Sequence, residues 1–195
     1  MNLPNKLSLM RIALLPVLVV VYLIDFAYAP LIAIGIFLLA AFTDFLDGYI
    51  ARKYDMVTDL GKLLDPIADK LLVVFSLFLI AYSRVLEPDW MCAVLGSIIM
   101  ARELFISIVR QIAASKNVII HANIYGKIKT FVQDIAIPLL FLLSMKGVLL
   151  AWSPVLYTAV YYAAYIAFGA ATVLTIISGI IYLVQNKKVF AAAEK

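Results

Sequence analysis

Cysteine and histidine are almost absent: each occurs once, as Cys92 and His121. A single cysteine excludes an intrachain disulfide and leaves the redox compartment unread. Together the two counts weaken any zinc centre built on thiolate and imidazole, and any Ser-His-Asp triad. Charge is scarce as well, at 14% of 195 residues against 66% hydrophobic. A soluble domain is about half apolar, so a mean hydropathy of +1.06 assigns this chain to a bilayer. The formal net charge of +4 on so apolar a chain suggests topology signals and anionic headgroups, with no role in nucleic-acid binding. No internal repeat or low-complexity stretch is visible, and one domain over residues 1–195 is the economical expectation.

Against that scarcity, Asp44, Asp47, Asp65 and Asp69 fall within 26 residues. Read as helix, Asp44, Asp47, Gly48 and Ala51 recur at i, i+3, i+4 and i+7 and share one face. Gly61, Asp65 and Asp69 make a second stripe at i, i+4 and i+8. Residues 53–59 between them are polar enough to turn the chain between antiparallel helices, which brings the two stripes together. Four anions so placed repel one another unless a cation sits among them. Oxygen-only ligands at this density suit hard divalent metals such as Mg2+, Mn2+ or Ca2+. Glycine and alanine on the same faces leave room for a ligand, and Arg52 offers a phosphate partner. The bland alternative is a set of aspartates that only solubilise a membrane interface.

The remaining chain reads as helices. Residues 1–11 are short, basic and amphipathic, and are expected to form a separate interfacial helix. An apolar run from Ile12 to Tyr28 follows, long enough to span. Its Ala27-Tyr28-Ala29 end imitates a signal-cleavage site, but the run is long for a signal peptide and Pro30 follows directly. A second helix, roughly 31–52, has too few apolar residues before Thr43-Asp44 to span without carrying the aspartates below the surface; Asp44 lies about 12 Å from the helix end. The third mirrors it, with Asp65 and Asp69 preceding the apolar run from Leu71 to Ser83 and Pro66 suited to a first turn. The site is thus expected as a polar cavity recessed from one membrane face. A fourth helix, about 90–114, carries Arg102, Glu103 and Arg110; Arg102 near its middle should face the interior, since a charge facing lipid costs about 3 kcal/mol. A fifth runs from Tyr125 to about Met145 and a sixth from about Tyr157 to Gln185. Tyr157, Tyr161, Tyr162 and Tyr165 suit packing or an aromatic belt.

Six spans put both termini on one side. Thirteen of the sixteen Lys and Arg residues fall on the aspartate side, with Arg84 and Lys146 opposite and Arg102 within a span. The positive-inside rule then makes the termini and the aspartates cytoplasmic. The expected fold is an all-α integral membrane protein of six transmembrane helices.

The run Asp44-x-x-Asp47-Gly48-x-x-Ala51-Arg52-x8-Gly61-x-x-x-Asp65-x-x-x-Asp69, with Leu64-Asp65-Pro66-x-Ala68-Asp69-Lys70, resembles position for position the signature of the CDP-alcohol phosphotransferase family. Those integral membrane enzymes join a CDP-activated group to an alcohol and release CMP. The resemblance implies two divalent cations, Mg2+ or Mn2+, with Asp44, Asp47, Asp65 and Asp69 as ligands and Asp69 also as catalytic base. It implies CDP contacts from Gly48, Ala51, Arg52 and Gly61, and a homodimer. The N-terminal Asn-x-Leu-x-x-x-Arg pattern (Asn5, Leu7, Arg11), with Ser8 in place of threonine, is similar to the opening of one branch, the phosphatidylglycerophosphate synthases. So are Ala101-Arg102-Glu103-Leu104-x-Ile106-Ser107 with Arg110, and Gly126-Lys127-Ile128-Lys129-Thr130-x-x-Gln133.

Arg102, Arg110, Lys127 and Lys129 form a cationic group that a phosphorylated acceptor needs and an uncharged one such as serine does not. The expected substrates are CDP-diacylglycerol and glycerol 3-phosphate, with inositol phosphate as the second choice of acceptor. For the lysines, ordinary topology signalling competes with a site role, and His121 reads as a loop residue. A different class, a cation transporter, also uses carboxylates at membrane depth; the absence of an inverted repeat and of acidic partners opposite speaks against it.

Overall fold

The computed structural model describes residues 2–24, 26–54, 58–115 and 124–185, without the side chains of residues 3, 4, 51, 52, 59, 60, 62, 63, 114 and 115. These residues form seven helices and no strand: α1 (Leu3–Leu23), α2 (Ala29–Lys53), α3 (Asp59–Ser83), α4 (Met91–Ser115), α5 (Ile124–Leu143), α6 (Lys146–Trp152) and α7 (Pro154–Gln185). Helices α1, α2, α4 and α7 are long and apolar enough to cross a membrane. The pair α5 and α6, bent by 78° to each other, makes a fifth if counted as one span. The all-α expectation holds, and the chain is a multi-pass membrane protein.

Three expectations about element boundaries are corrected. The first eleven residues do not make a separate interfacial helix; α1 runs unbroken from Leu3 to Leu23. The reason is a single buried stripe, Asn5, Ser8, Arg11, Leu15, Leu18 and Tyr22, at steps of three or four. That spacing keeps one face against the bundle for the whole helix. Pro66 is not in a first turn, because α3 starts at Asp59. Thr58 caps that start, its Oγ1 accepting from the Gly61 N–H at 3.1 Å, which satisfies one of the orphan donors of the first turn. The fifth helix stops at Leu143 and not at Met145. There Ser144 N–H donates to the carbonyls of Leu140 and Phe141, and the chain turns into the short α6.

Packing follows from stripes like that of α1. On α2 the buried positions are Ala29, Ala33, Phe37, Ala40, Thr43 and Asp47. Helix α1 lies against α2 and α3, α5 against α7 and α2, and α4 against α3 and α7. Alanines at the contacts (Ala33, Ala40, Ala136, Ala164, Ala171) let backbones approach, while Phe37, Phe141 and Phe168 fill the space between. Close packing of small residues is the main attraction available between helices in lipid. At one end of the bundle Tyr161 meets the rings of Tyr157, Tyr162 and Tyr165, so these tyrosines pack on one another far from the aspartates.

Candidate active site

Both the α1 and the α2 stripes are apolar at one end and polar at the other. In α1 the polar end is N-terminal and in α2 it is C-terminal, so antiparallel packing joins them. Arg11 is fully buried there. Its Nη1 donates to Asp44 Oδ1 at 2.6 Å and its Nη2 to Asp47 Oδ2 at 2.5 Å. Asp47 is buried, whereas the Asp44 side chain is 47% exposed. Ser8 Oγ donates to Asp65 Oδ1 at 2.6 Å, and Thr58 Oγ1 donates to Asn5 Oδ1 at 3.0 Å. The N-terminal helix therefore contacts both carboxylate stripes. Residues 5, 8 and 11 were absent from the site expected from the motif; three polar residues on one helical face beside an apolar run were the signal.

A second charge cluster stands beside the first. Glu103 of α4 is buried and receives three cations: Lys70 at 2.8 Å on Oε2, and Lys129 and Arg102 on Oε1. Lys70 also donates to Asp69 Oδ2 at 2.7 Å. Arg102 faces the interior as expected, donating through Nη2 to Ser178 Oγ at 3.0 Å. Gly179 makes room for it, since a Cβ there would come within 3.3 Å of Arg102 Cγ. A charge at this depth needs a partner of this kind.

Two cavities open onto these groups. The larger, about 480 Å³, is lined by Asp44, Asp65, Asp69, Lys70, Ser107 and Arg110 among others. The smaller, about 100 Å³, is lined by Lys70, Arg102, Glu103, Arg110, Thr130 and Ser178 among others. The structure thus brings Asp44, Asp65 and Asp69 to one cavity and sets Asp47 behind them. Arg110 reaches both cavities and Arg102 the smaller.

Other expected site residues are placed differently. Lys129, assigned to the acceptor phosphate, is buried against Glu103, because that carboxylate at membrane depth demands neutralisation. Lys127 is exposed. Gly61, assigned to CDP, faces Asn5 instead: a Cβ there would lie 2.8 Å from Asn5 Oδ1, so the missing side chain admits α1. Gly48 lies on α2 half-buried. The side chains of Ala51 and Arg52, and His121, lie outside the described residues.

The donor set can be tested against a divalent cation. Among the described residues no three acidic, thiol or imidazole groups converge closely enough to hold one as they stand. Arg11 occupies the approach between Asp44 and Asp47. Yet the anionic donors that face the cavity, on Asp44, Asp65 and Asp69, are all carboxylate oxygens, the chemistry that Mg2+ and Mn2+ take. Asp134 of α5 adds a fifth carboxylate within electrostatic reach of Asp44 and Asp69. Among the described residues, only Arg11 and Lys70 pair with the four motif aspartates. Among the described side chains negative charge remains in excess, and a cation fits.

The family described as CDP-alcohol phosphatidyltransferase matches residues 1–192. The chain belongs to that family. This CDP-alcohol phosphatidyltransferase is an enzyme of the transferase class, and its similarity to individual members runs nearly end to end. It is 40% identical over 190 residues to a protein of Rickettsia bellii, covering 97% of each chain. It is 36% identical over 197 residues to one of Bacillus subtilis, covering 95% of each. A third, from Salmonella choleraesuis, is 35% identical over 184 residues, 93% of each. All three relatives are named CDP-diacylglycerol–glycerol-3-phosphate 3-phosphatidyltransferase. The aspartate cavity and its cationic neighbour are thus the features of a family member that remain to be given substrates.

Proposed function

We propose that this phosphatidyltransferase moves the phosphatidyl group of CDP-diacylglycerol to sn-glycerol 3-phosphate, giving phosphatidylglycerophosphate and CMP. The observation that carries the reading is the pairing of cavities: an aspartate-lined one large enough for a pyrophosphate, sharing a wall with a cationic one. The names of the relatives supply the substrates.

In this reading the acceptor hydroxyl oxygen bonds to the lipid-side phosphorus of the pyrophosphate. The phosphorus–oxygen bond to the cytidine phosphate breaks, and CMP leaves with that electron pair. The hydroxyl proton goes to the Asp69 carboxylate, which lines the larger cavity and whose Oδ2 accepts from Lys70. Arg102 and Arg110 bind the acceptor phosphate by charge-assisted hydrogen bonds. Two divalent cations, Mg2+ or Mn2+, would be held by Asp44, Asp47, Asp65 and Asp69 and would supply counter-charge to the phosphates. Gly48, Ala51 and Arg52 are assigned to the CDP moiety by the resemblance of their motif to the family signature. The reading also makes α3 a sixth span, puts the termini and the site on the cytoplasmic side, keeps the chain as one domain, and pairs it as a homodimer.

The test is CMP release by purified protein with CDP-diacylglycerol and Mg2+ or Mn2+, over an acceptor panel of glycerol 3-phosphate, inositol phosphate, inositol and serine. Glycerol 3-phosphate should give the highest kcat/KM; preference for any other member of the panel refutes the acceptor. Asp69→Asn keeps a neutral oxygen ligand but cannot take the proton, so turnover should fall by about 100-fold while CDP-lipid binding persists. If added metal alone restores the wild-type rate at constant pH, the base lies elsewhere.

A further inference from the structure

Lys70 belongs to no substrate-contacting role assigned so far, yet it stands where the two cavities meet. Four residues line both cavities: Lys70, Ser107, Arg110 and Thr130. Among them only Lys70 is held from both sides, by Asp69 at 2.7 Å and by Glu103 at 2.8 Å. An ammonium carries three donor hydrogens, and these two partners engage two of them. The third is left for a ligand. The Lys70 side chain is 24% exposed, so the group is accessible although anchored.

Charge on the two sides of the lysine is unequal. Towards the larger cavity lie Asp44, Asp65 and Asp69. Towards the smaller one, the buried carboxylate of Glu103 faces Lys70, Arg102 and Lys129, Arg110 lines the same space, and Asp134 lies within electrostatic reach of Lys70 and Lys129. Two carboxylates cannot cancel four cations, so the smaller cavity attracts an anion. An anion there and a pyrophosphate in the larger cavity would repel each other across the shared wall. A compact ammonium on a flexible stem can serve both, where a planar guanidinium is committed to one direction.

We infer that Lys70 contacts both substrates, a pyrophosphate oxygen of the donor on one side and the phosphate of the acceptor on the other, and that Glu103 is the positioning residue that keeps it at the junction. The inference rests on the phosphorylated-acceptor reading above and gives that reading a residue outside the motif aspartates. It adds no chemical step; it supplies counter-charge while two anions are brought within bonding distance.

The experiment uses the full chain purified with CDP-diacylglycerol in mixed micelles. CMP release is followed over a matrix of both substrates, and inhibition by inorganic phosphate is measured alongside. Lys70→Met should lower turnover by about 30-fold or more and raise the glycerol 3-phosphate KM by about tenfold. Lys70→Arg should recover part of the KM effect, because charge returns, and less of the turnover, because the fork is wrongly shaped. Glu103→Gln keeps the lysine but loosens it; KM and the phosphate inhibition constant should rise together by about tenfold, with a smaller change in kcat.

A lysine that only balances Asp69 and Glu103 would shift the melting temperature and leave both acceptor constants alone. If Lys70→Met and Glu103→Gln keep the glycerol 3-phosphate KM and phosphate inhibition within about twofold of wild type, the proposal is overturned. Should Lys70→Met not fold, unchanged constants in Lys70→Arg and Glu103→Gln overturn it equally. Failure of the acceptor reading itself would show in the wild type, as turnover of an uncharged acceptor in preference to glycerol 3-phosphate.

Discussion

The two ends of the bundle hold cavities of nearly equal size and opposite chemistry. At the aspartate end the cavity of about 480 Å³ is lined by Asp44, Asp65, Asp69, Lys70 and Arg110. At the far end a cavity of about 470 Å³ is lined by Tyr22, Phe26, Pro30, Tyr82, Ser83 and Ser144, with no charged group among the described residues. Helices α2 and α3 line both, and the buried stripe of α1 carries Arg11 towards the first and Tyr22 at the second. Helix packing in lipid leaves clefts at each end, and the cleft alone confers nothing. What differs is where the chain places side chains that are costly to bury, and those are spent only where each finds a partner. Around that cavity the buried polar contact is neutral, the 2.5 Å hydrogen bond between Tyr22 and Ser83, and the ion pair of Arg84 with Asp89 at this end is exposed. A neutral pair there suffices for packing; ion pairs at membrane depth are a sign of function.

Removing the charge chemistry from the aspartate end should have the largest effect. Chelation should abolish CMP release, and Mg2+ or Mn2+ should restore it. Asp47→Ala should lose about 100-fold or more in kcat/KM, because it removes a proposed ligand and leaves Arg11 with half its partners. Wild-type turnover in thoroughly chelated buffer would sink the metal reading.

Next comes Arg11, which sharpens the comparison by acting on stability at the functional end. Truncating one member of a buried ion pair strands the other, at a cost of about 3–5 kcal/mol. Arg11→Ala should therefore melt well below wild type in metal-free detergent solution, and saturating Mg2+ should recover more of the loss than it adds to wild type. An equal metal-induced shift in both proteins would mean that Arg11 and the cation do not share these carboxylates.

Mutation of the far end should separate folding from catalysis. Phe141 is fully buried and packs its ring 5.0 Å from that of Tyr22. Phe141→Ala leaves a cavity and should cost about 3 kcal/mol of stability. The glycerol 3-phosphate KM of the protein that remains folded should be unchanged, since no charged contact is altered. A raised KM would show that the two ends are coupled.

The ease of reading the chain follows the same division. Helices and the motif were visible in the sequence, because apolar runs have a period and carboxylates in lipid stand out. The pairing of Asp44, Asp65 and Asp69 on one cavity followed from the i, i+3, i+4 spacing. What escaped were residues whose meaning depends on a distant partner. Arg11 reads locally as a basic residue near a terminus, and only the contact with α2 makes it part of the site. Lys129 and Glu103 lie 26 residues apart on different helices, and nothing local distinguishes a lysine that neutralises a glutamate from one that binds phosphate. The α5–α6 bend was missed for a related reason. Residues 144 and 145 carry no glycine or proline, and the turn is closed by Ser144, whose Oγ donates to the Phe141 carbonyl at 2.6 Å.

The smallest expected effect lies at the far end, at Arg84. It closes α3 in the left-handed conformation with φ of 49°, where an L-residue other than glycine or asparagine is strained by about 1–2 kcal/mol. Its pairing with Asp89 is long, 3.7 Å, and both side chains are about two-thirds exposed. Such a pair contributes about 0–1 kcal/mol. Arg84→Ala loses the pair and keeps the strain. Arg84→Gly loses the pair, relieves the strain, and costs some unfolded-chain entropy, about 0.4–1 kcal/mol. These terms nearly cancel, so the glycine variant should melt within about 4 °C of wild type and the alanine variant slightly below the glycine one. CMP release should be the same for all three. An alanine variant more stable than the glycine one would show that the helix ends without the left-handed residue. A change in turnover would mean that the far end also serves the reaction.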